Sequence, residues 1–247
     1  MNSWHDDNQF WEVAGEVMFS EDRWASAVQD VDNLLALLGA ESPATVLDMC
    51  CGPGRHALEL AQRGFQVTGV DRTAYYLENA RAKANNHGLQ VDFILEDMRT
   101  FKRPQEFDFA INLYTSFGYF EDQADNQRVL ENLYHSLRPG GVLAMEMMGK
   151  EVLARIFLER TWDEVGEILF LQEHRVINNW SQMENRWILL KGDQRYEYTL
   201  THWLYSAHEL KSMLTRAGFS DLAIYGDLAG NPYNQTARRM VAVAHRN

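Results

Sequence analysis

Val46-Leu47-Asp48-Met49-Cys50-Cys51-Gly52-Pro53-Gly54-Arg55-His56-Ala57 reads as an apolar strand carrying one acid, a glycine turn and the start of a helix. That order of elements makes a ligand site at the helix start. Gly52 and Gly54 let the main chain approach a ligand with no Cβ in the way, and the first N–H groups of a helix have no partner inside it. Gly52, Gly54 and Ala57 also fit the dinucleotide pattern G-x-G-x-x-G/A, a match that is weak by itself. An acid inside an apolar strand is less ordinary. Asp48 is either a turn or cap residue or a counter-charge for a cationic ligand.

Outward from this stretch the chain alternates regularly. A strand is expected at Thr45 to Met49, a helix at Arg55 to Arg63, a strand at Phe65 to Val70 and a helix at Thr73 to Asn86, with Gly64 and Gly88 at helix ends. Further strands are expected at Val91 to Leu95, Phe107 to Leu113 and Val142 to Met147; a helix from Asp122 to Leu137 and a Pro139-Gly140-Gly141 turn precede the last. This alternation means an α/β fold, a doubly wound parallel sheet covered on both faces. Upstream, Trp24, Val28, Val31, Leu35 and Leu38 recur at helical spacing from Asp22 until Gly39. Ahead of them Phe10, Trp11, Val13, Val17, Met18 and Phe19 form either a helix docked on the sheet or a lid over the site.

From Lys150 to Tyr205 the pattern shifts to short alternating runs, Ile168 to Val176, Met183 to Leu190 and Tyr196 to Tyr205, with a hairpin turn at Lys191-Gly192-Asp193. This predicts a small antiparallel β insertion. A capping box, Ser206 to Glu209, opens a last helix that Gly218 ends, and strands at Leu222 to Tyr225 and Met240 to Ala244 follow. The expected organisation is a single domain over 1–247: a helical cap (1–43), a cofactor-binding core (44–149), a substrate-covering insertion (150–205) and the C-terminal part of the core (206–247).

Position along the strands narrows the ligand. Asp71 ends the second strand, where a carboxylate can accept both hydroxyls of a ribose. Glu96-Asp97-Met98 after the third strand offers an acid for adenine's exocyclic amine and an apolar side chain for its face. A dinucleotide would set a pyrophosphate beside Asp48, adding repulsion in a partly desolvated site. S-Adenosylmethionine has no phosphate; its ammonium and sulfonium suit Asp48, and its carboxylate suits the helix N–H groups. The competing readings are an NAD(P)-dependent oxidoreductase of the doubly wound class and a non-catalytic S-adenosylmethionine-binding regulatory subunit.

Composition limits the partners. A net charge of −12 repels a phosphate backbone, so no nucleic acid is expected, and no apolar run is long enough for a membrane span. Met1 to Asp7 is polar and acidic, unlike a secretory signal, and the two cysteines, Cys50 and Cys51, are adjacent; a cytoplasmic protein without disulfides or metal, monomer or homodimer, is expected. The vicinal pair suits tight packing in the glycine turn better than redox chemistry.

The segments Val46 to Ala61, Val67 to Asp71, Leu95 to Arg99 and Leu137 to Val142 resemble, in order and spacing, the motifs of class I S-adenosylmethionine-dependent methyltransferases. The resemblance implies a Rossmann-like seven-stranded sheet with its last strand antiparallel. It also implies that Asp48, Gly52 and Gly54 hold the methionine part, Asp71 the ribose, and Asp97 with Met98 the adenine; Cys50, Arg72 and Asn112 join them as candidate cofactor contacts. Asn112 to Phe120 looks like the fourth-strand motif of small-molecule methyltransferases, amino-sugar N-methyltransferases among them, and lacks the N/D-P-P-Y/F signature of enzymes acting on nucleic-acid bases. The expected acceptor is therefore a small molecule, methylated on O, N or C. Tyr114, Tyr119 and His202 are the candidate catalytic groups; Ser116, Phe117 and His174 are the candidate acceptor contacts.

Overall fold

Val46 and Leu47 face opposite sides of their strand and both are buried, which requires helices on both faces of the sheet. The computed structural model describes residues 4–247; the first three residues of the polar Met1 to Asp7 stretch lie outside them. The core contains strands β1 (Thr45–Met49), β2 (Gln66–Asp71), β3 (Val91–Leu95), β4 (Phe107–Asn112) and β5 (Leu137–Met147). Helices α1 (Asn8–Met18), α2 (Glu21–Leu38), α3 (Arg55–Gln62), α4 (Ala74–Asn86) and α5 (Gln123–Ser136) precede or connect them. An insertion follows, with α6 (Lys150–Ile156), β6 (Arg160–Val165), β7 (Ile168–Ile177), β8 (Gln182–Lys191) and β9 (Gln194–Trp203). Helix α7 (Ala207–Ala217) and strands β10 (Ser220–Tyr225) and β11 (Met240–His245) complete the chain.

The seven-stranded sheet has the order β10-β11-β5-β4-β1-β2-β3, and only β11 runs antiparallel to its neighbours. Residues of α2, α3 and α4 pack with Val46 and Val67 on one face; those of α5 and α7 pack with Leu47 and Leu143 on the other. Each fully buried leucine, Leu34 or Leu133 for example, contributes about 2 kcal/mol of apolar transfer. The strand order reverses between β1 and β4, so a crevice opens at their carboxyl ends. Caps fall where the sequence placed them: Gly39 and Gly218 are left-handed helix ends, and Ser206 and Glu209 form the capping box.

Three features differ from the sequence reading. Pro139-Gly140-Gly141 is not a turn but part of β5, because the chain end supplies partners: Gly140 N–H donates to the Arg246 carbonyl (2.6 Å) and Arg246 N–H to that of Gly141 (2.9 Å). Helix α6 and strand β6 were not anticipated. The β6 sequence, Arg-Thr-Trp-Asp-Glu-Val, shows no apolar alternation, as befits an edge strand largely facing water.

The insertion is a four-stranded antiparallel sheet, β6-β7-β8-β9. Its outer face carries charge pairs such as Arg186 with Glu173 (2.9 Å) and Glu197 (2.6 Å). Its inner face presents Phe170, Leu189 and Leu200 to Phe10, Ala14 and Val17 of α1. No helix among the described residues is long and apolar enough to cross a membrane.

Candidate active site

The glycine turn works because its backbone is left-handed three times in five residues, at Cys50 (φ 63°), Gly52 (φ 54°) and Gly54 (φ 84°). For Cys50, a residue with a Cβ, that conformation costs about 1–2 kcal/mol. Asp71 holds the turn closed: its Oδ2 accepts the Gly52 N–H (2.8 Å) and its Oδ1 the Thr73 N–H (2.9 Å). Burial pushes the Asp71 carboxyl up despite those donors. Each oxygen keeps accepting capacity, as a ribose would need. A Cβ at Gly52 would come within 3.0 Å of the Phe19 ring, and one at Gly54 within 3.1 Å of Ala80 and Phe93. Gly52 thus permits a close roof, whereas Gly54 permits α3 to sit against α4.

At the strand ends lies a pocket of about 80 Å³. Met49, Cys50, Gly52 and Asp71 border it on one side, Asp97 and Met98 on another. Arg99 grips Asp97 with Nε (3.0 Å), Nη2 (2.7 Å) and its backbone N–H (2.8 Å). Partial burial raises the Asp97 carboxyl, and the Arg99 hydrogen bonds outweigh it, holding the group below the ordinary carboxylate range. Trp11, Phe19, Tyr76 and Phe120 form the roof. The Tyr76 hydroxyl donates to the Trp11 carbonyl, and Gly15 of α1 lets it approach, since a Cβ there would lie 2.8 Å from that oxygen.

Cys50, Gly52, Asp71, Arg72, Asp97, Met98, Ser116 and Tyr119 all reach this pocket. Arg72 does so while paired with Asp6 (3.0 Å). Three expected cofactor contacts do not line it. Gly54 is turned toward helix packing. Asn112 is buried, its Nδ2 donating to the carbonyls of Met49 (3.0 Å) and Ser116 (3.2 Å), so it ties the end of β1 to the loop after β4. Asp48 lies behind the wall, 2% exposed, its Oδ2 without a hydrogen-bond partner among the described residues. Burial pushes its carboxyl up to about 7, against the pull of Arg55. A buried carboxylate oxygen lacking a donor, next to Met49, fits a cationic ligand in that pocket. Burial also raises the Cys50 and Cys51 thiols well above their usual range, which keeps them protonated and opposes nucleophilic or redox chemistry.

A second cavity, about 520 Å³, opens between α1, the loop after β4 and the inner face of the insertion sheet. Tyr114, Tyr119 and His202 border it, with Asn185, Trp187 and Arg239, which the sequence reading missed. Trp11 and Tyr119 border both cavities. Burial raises the Tyr119 phenol, so it stays protonated at neutral pH. His202 is lowered to about 4, by burial first and then by His174. Asn185 bridges the two histidines, at 2.6 Å from His174 Nδ1 and 3.4 Å from His202 Nδ1.

His174, expected as an acceptor contact, does not border this cavity; it hydrogen-bonds Asn185, which does. Phe117 is likewise displaced from the expected role, 1% exposed in the sheet core beside Tyr205. Tyr114 and Thr115 are consecutive left-handed residues (φ 60° and 58°), each costing about 1–3 kcal/mol. The buried Glu146 holds them there. Its carboxylate accepts the Tyr114 N–H (2.7 Å), its carbonyl the Thr115 N–H (3.0 Å), and Arg239 pairs with it while donating to Thr115 Oγ1 (2.7 Å). The Arg55 guanidinium stacks on the Tyr114 ring at 3.6 Å. No short sequence motif announces Glu146, because its partner Arg239 is 93 residues away.

Residues 46–141 match the model of a family described as "Methyltransferase domain". A Geobacillus sp. (strain WCH70) protein, provisionally named a methyltransferase with no substrate in its name, is 26% identical over 231 residues, 91% of this chain and 92% of that one. The tRNA 5-carboxymethoxyuridine methyltransferase of Escherichia coli (strain K12) is 31% identical over 123 residues, 50% of this chain and 47% of that one. Among solved structures, an S-adenosylmethionine-dependent methyltransferase from Clostridium acetobutylicum ATCC 824 superposes with a TM-score of 0.78 at 15% identity, covering 96% of this chain and 98% of that one. An S-adenosylmethionine-bound amino pentose methyltransferase from Micromonospora echinaspora gives 0.66 at 23% identity, covering 91% and 92%.

Proposed function

We propose that this chain, which belongs to the class I S-adenosylmethionine-dependent methyltransferases, methylates a small molecule held in the cavity beneath its insertion sheet. The observation that carries the reading is the shared wall: Trp11 and Tyr119 border both the cofactor pocket and the larger cavity, so the two meet at those side chains. When bound, S-adenosylmethionine supplies a methyl group on a positively charged sulfur, already activated for in-line displacement.

The protein's own task is then to hold, align and exclude water. Gly52 and Asp71 hold the ribose side, Asp97 and Met98 the adenine side, and Asp48 supplies negative charge from behind the wall. Neither Tyr119 nor His202 has a pKa near neutrality, so neither is matched to general-base work. We assign both to hydrogen-bonding the acceptor. An acceptor that needs no strong base is an amine or an oxygen that is already ionised. The net charge of −12 supports a small molecule over a nucleic acid. The likeness to the tRNA enzyme spans half of this chain.

A screen of metabolites with methyl-labelled S-adenosylmethionine tests the reading. Label recovered in one small amine or acid supports it. Label recovered only in RNA or protein would sink it.

A further inference from the structure

The cofactor pocket has a wall that belongs to none of its strand-end motifs. A single 3-10 turn, Trp4–Asp6, lies across it ahead of α1. His5 of that turn is 5% exposed and borders the pocket, and its Nδ1 makes no hydrogen bond among the described residues, the Asp6 carboxylate lying 3.5 Å away. The turn is pinned at three points. Asp6 pairs with Arg72 just past the end of β2 (3.0 Å), the Trp11 indole N–H donates to the His5 carbonyl (3.0 Å), and the Trp4 indole N–H donates to the Thr201 carbonyl of β9 (3.1 Å). The His5 ring meets Phe120 edge to face at 5.3 Å. A buried ring nitrogen without a partner is costly, and a turn this well anchored cannot easily swing it out to water.

We propose that His5 is a binding residue for the adenosine half of the cofactor, making one hydrogen bond through its imidazole ring, with the Asp6–Arg72 ion pair as the latch that holds it there. The adenosine half is indicated by its neighbours. The charged groups around the ring are Asp6, Arg72, Arg99 and Asp97, which follow β2 and β3 or belong to the turn itself, whereas the methionine side lies at Cys50 and Gly52. Burial lowers the His5 pKa, with Arg72 and Arg99 adding to it against Asp6 and Asp97, so the ring is neutral near pH 7 and free to pair with an uncharged ligand atom. Trp4, one residue earlier, borders the acceptor cavity. The one anchored turn therefore contributes to the walls of both cavities. The inference rests on the cofactor assignment and is independent of the acceptor's identity.

Calorimetry of the full chain with S-adenosylhomocysteine, and separately with adenosine, tests it. His5→Phe is expected to weaken both ligands about tenfold, one hydrogen bond's worth, while His5→Gln stays within about threefold of the parent. Unchanged affinity in His5→Phe overturns the proposal, as does equal loss in both variants, which would make the role one of packing. Nitrogen-15 histidine spectra of the unmodified protein give a readout that needs no variant: a ring-nitrogen shift of His5 on adding S-adenosylhomocysteine supports the contact, and an unmoved signal overturns it. Failure of the unmodified protein to bind S-adenosylhomocysteine at all would remove the cofactor assignment, and this proposal with it.

Discussion

The two cavities that meet at Trp11 and Tyr119 are built by opposite means. The cofactor pocket is made chiefly of strand ends and the turns that follow them, each within a few residues of its motif: Cys50 to Gly52 after β1, Asp71 and Arg72 at β2, Asp97 and Met98 after β3. The larger cavity draws on α1, the loop after β4, all four strands of the insertion and Arg239 near the chain's end. Hydrogen bonds between adjacent strand ends, such as Gly52 with Asp71, shape the first; pairs between elements far apart in the chain, such as Glu146 with Arg239, shape the second. On the function proposed above, the first holds the cofactor and the second the acceptor, with Trp11 and Tyr119 common to both.

If that division holds, damage on one side should leave the other largely intact. The largest expected effect is from Asp71→Ala, which removes the acceptor of the Gly52 and Thr73 N–H groups together with the ribose contact. Calorimetry should show S-adenosylhomocysteine binding weakened about 100-fold, two hydrogen bonds to a charged group being lost. Gly52→Ala comes next, with about tenfold weaker binding, since its Cβ would press on Phe19 at 3.0 Å. Gly192→Ala, at a similar φ of 59° with nothing within 4 Å of the new Cβ, is the control that carries only the backbone strain and should leave affinity unchanged.

On the acceptor side, Glu146→Gln should lower kcat/KM for the acceptor about tenfold by releasing the strained Tyr114-Thr115 pair, with less than a twofold change in S-adenosylhomocysteine affinity. Equal losses on both sides would break the comparison. His202→Gln should have the smallest effect, a rise in acceptor KM of about threefold. The pH profile between 6 and 8 should stay the same, because a group titrating at about 4 is already neutral there.

Asp48 sharpens the comparison through pH. Its folded-state pKa, about 7, lies above the 3.8 of an ordinary Asp, so the folded protein holds its proton longer than the unfolded chain does. Stability from this group therefore declines as pH rises from about 4 to 7. Asp48→Asn should raise the melting temperature of the ligand-free protein at pH 8. The same substitution should remove any rise in S-adenosylmethionine affinity between pH 6 and 8, which arises because a cationic ligand favours the ionised carboxylate.

The division also explains what could be read from the sequence. Strand and helix periodicity with glycine stops placed most core elements to within a residue or two, the start of β5 excepted; at β1, burial on both faces leaves a plain apolar record. Asp71, Asp97 and Met98 were legible as strand-end residues. Asp48 was legible as unusual, but not its place behind the wall, since a strand's pattern alone does not say how far a turn overhangs it. Phe117 and His174 were misplaced because neighbours in sequence diverge in space: Ser116 reaches the pocket while Phe117 turns into the core. Asn185, Glu146 and His5 left no local signal, their roles being set by residues on other elements. The Phe10 to Phe19 stretch, read as docked helix or lid, is a helix whose Phe10 and Val17 pack on the insertion and whose Trp11, with Phe19 just beyond it, roofs the cofactor pocket. At about 80 Å³ that pocket is small beside the ~300 Å³ at which ligand sites begin, with Trp11 and Phe19 packed close over it.

A crystal structure of the protein grown with S-adenosylhomocysteine tests the central claim most directly. The account predicts ligand density against Gly52 and Asp71, with the sulfur beside Tyr119 and open to the cavity under the insertion sheet. A sulfur sealed off from that cavity, or a ligand bound anywhere else, would contradict it.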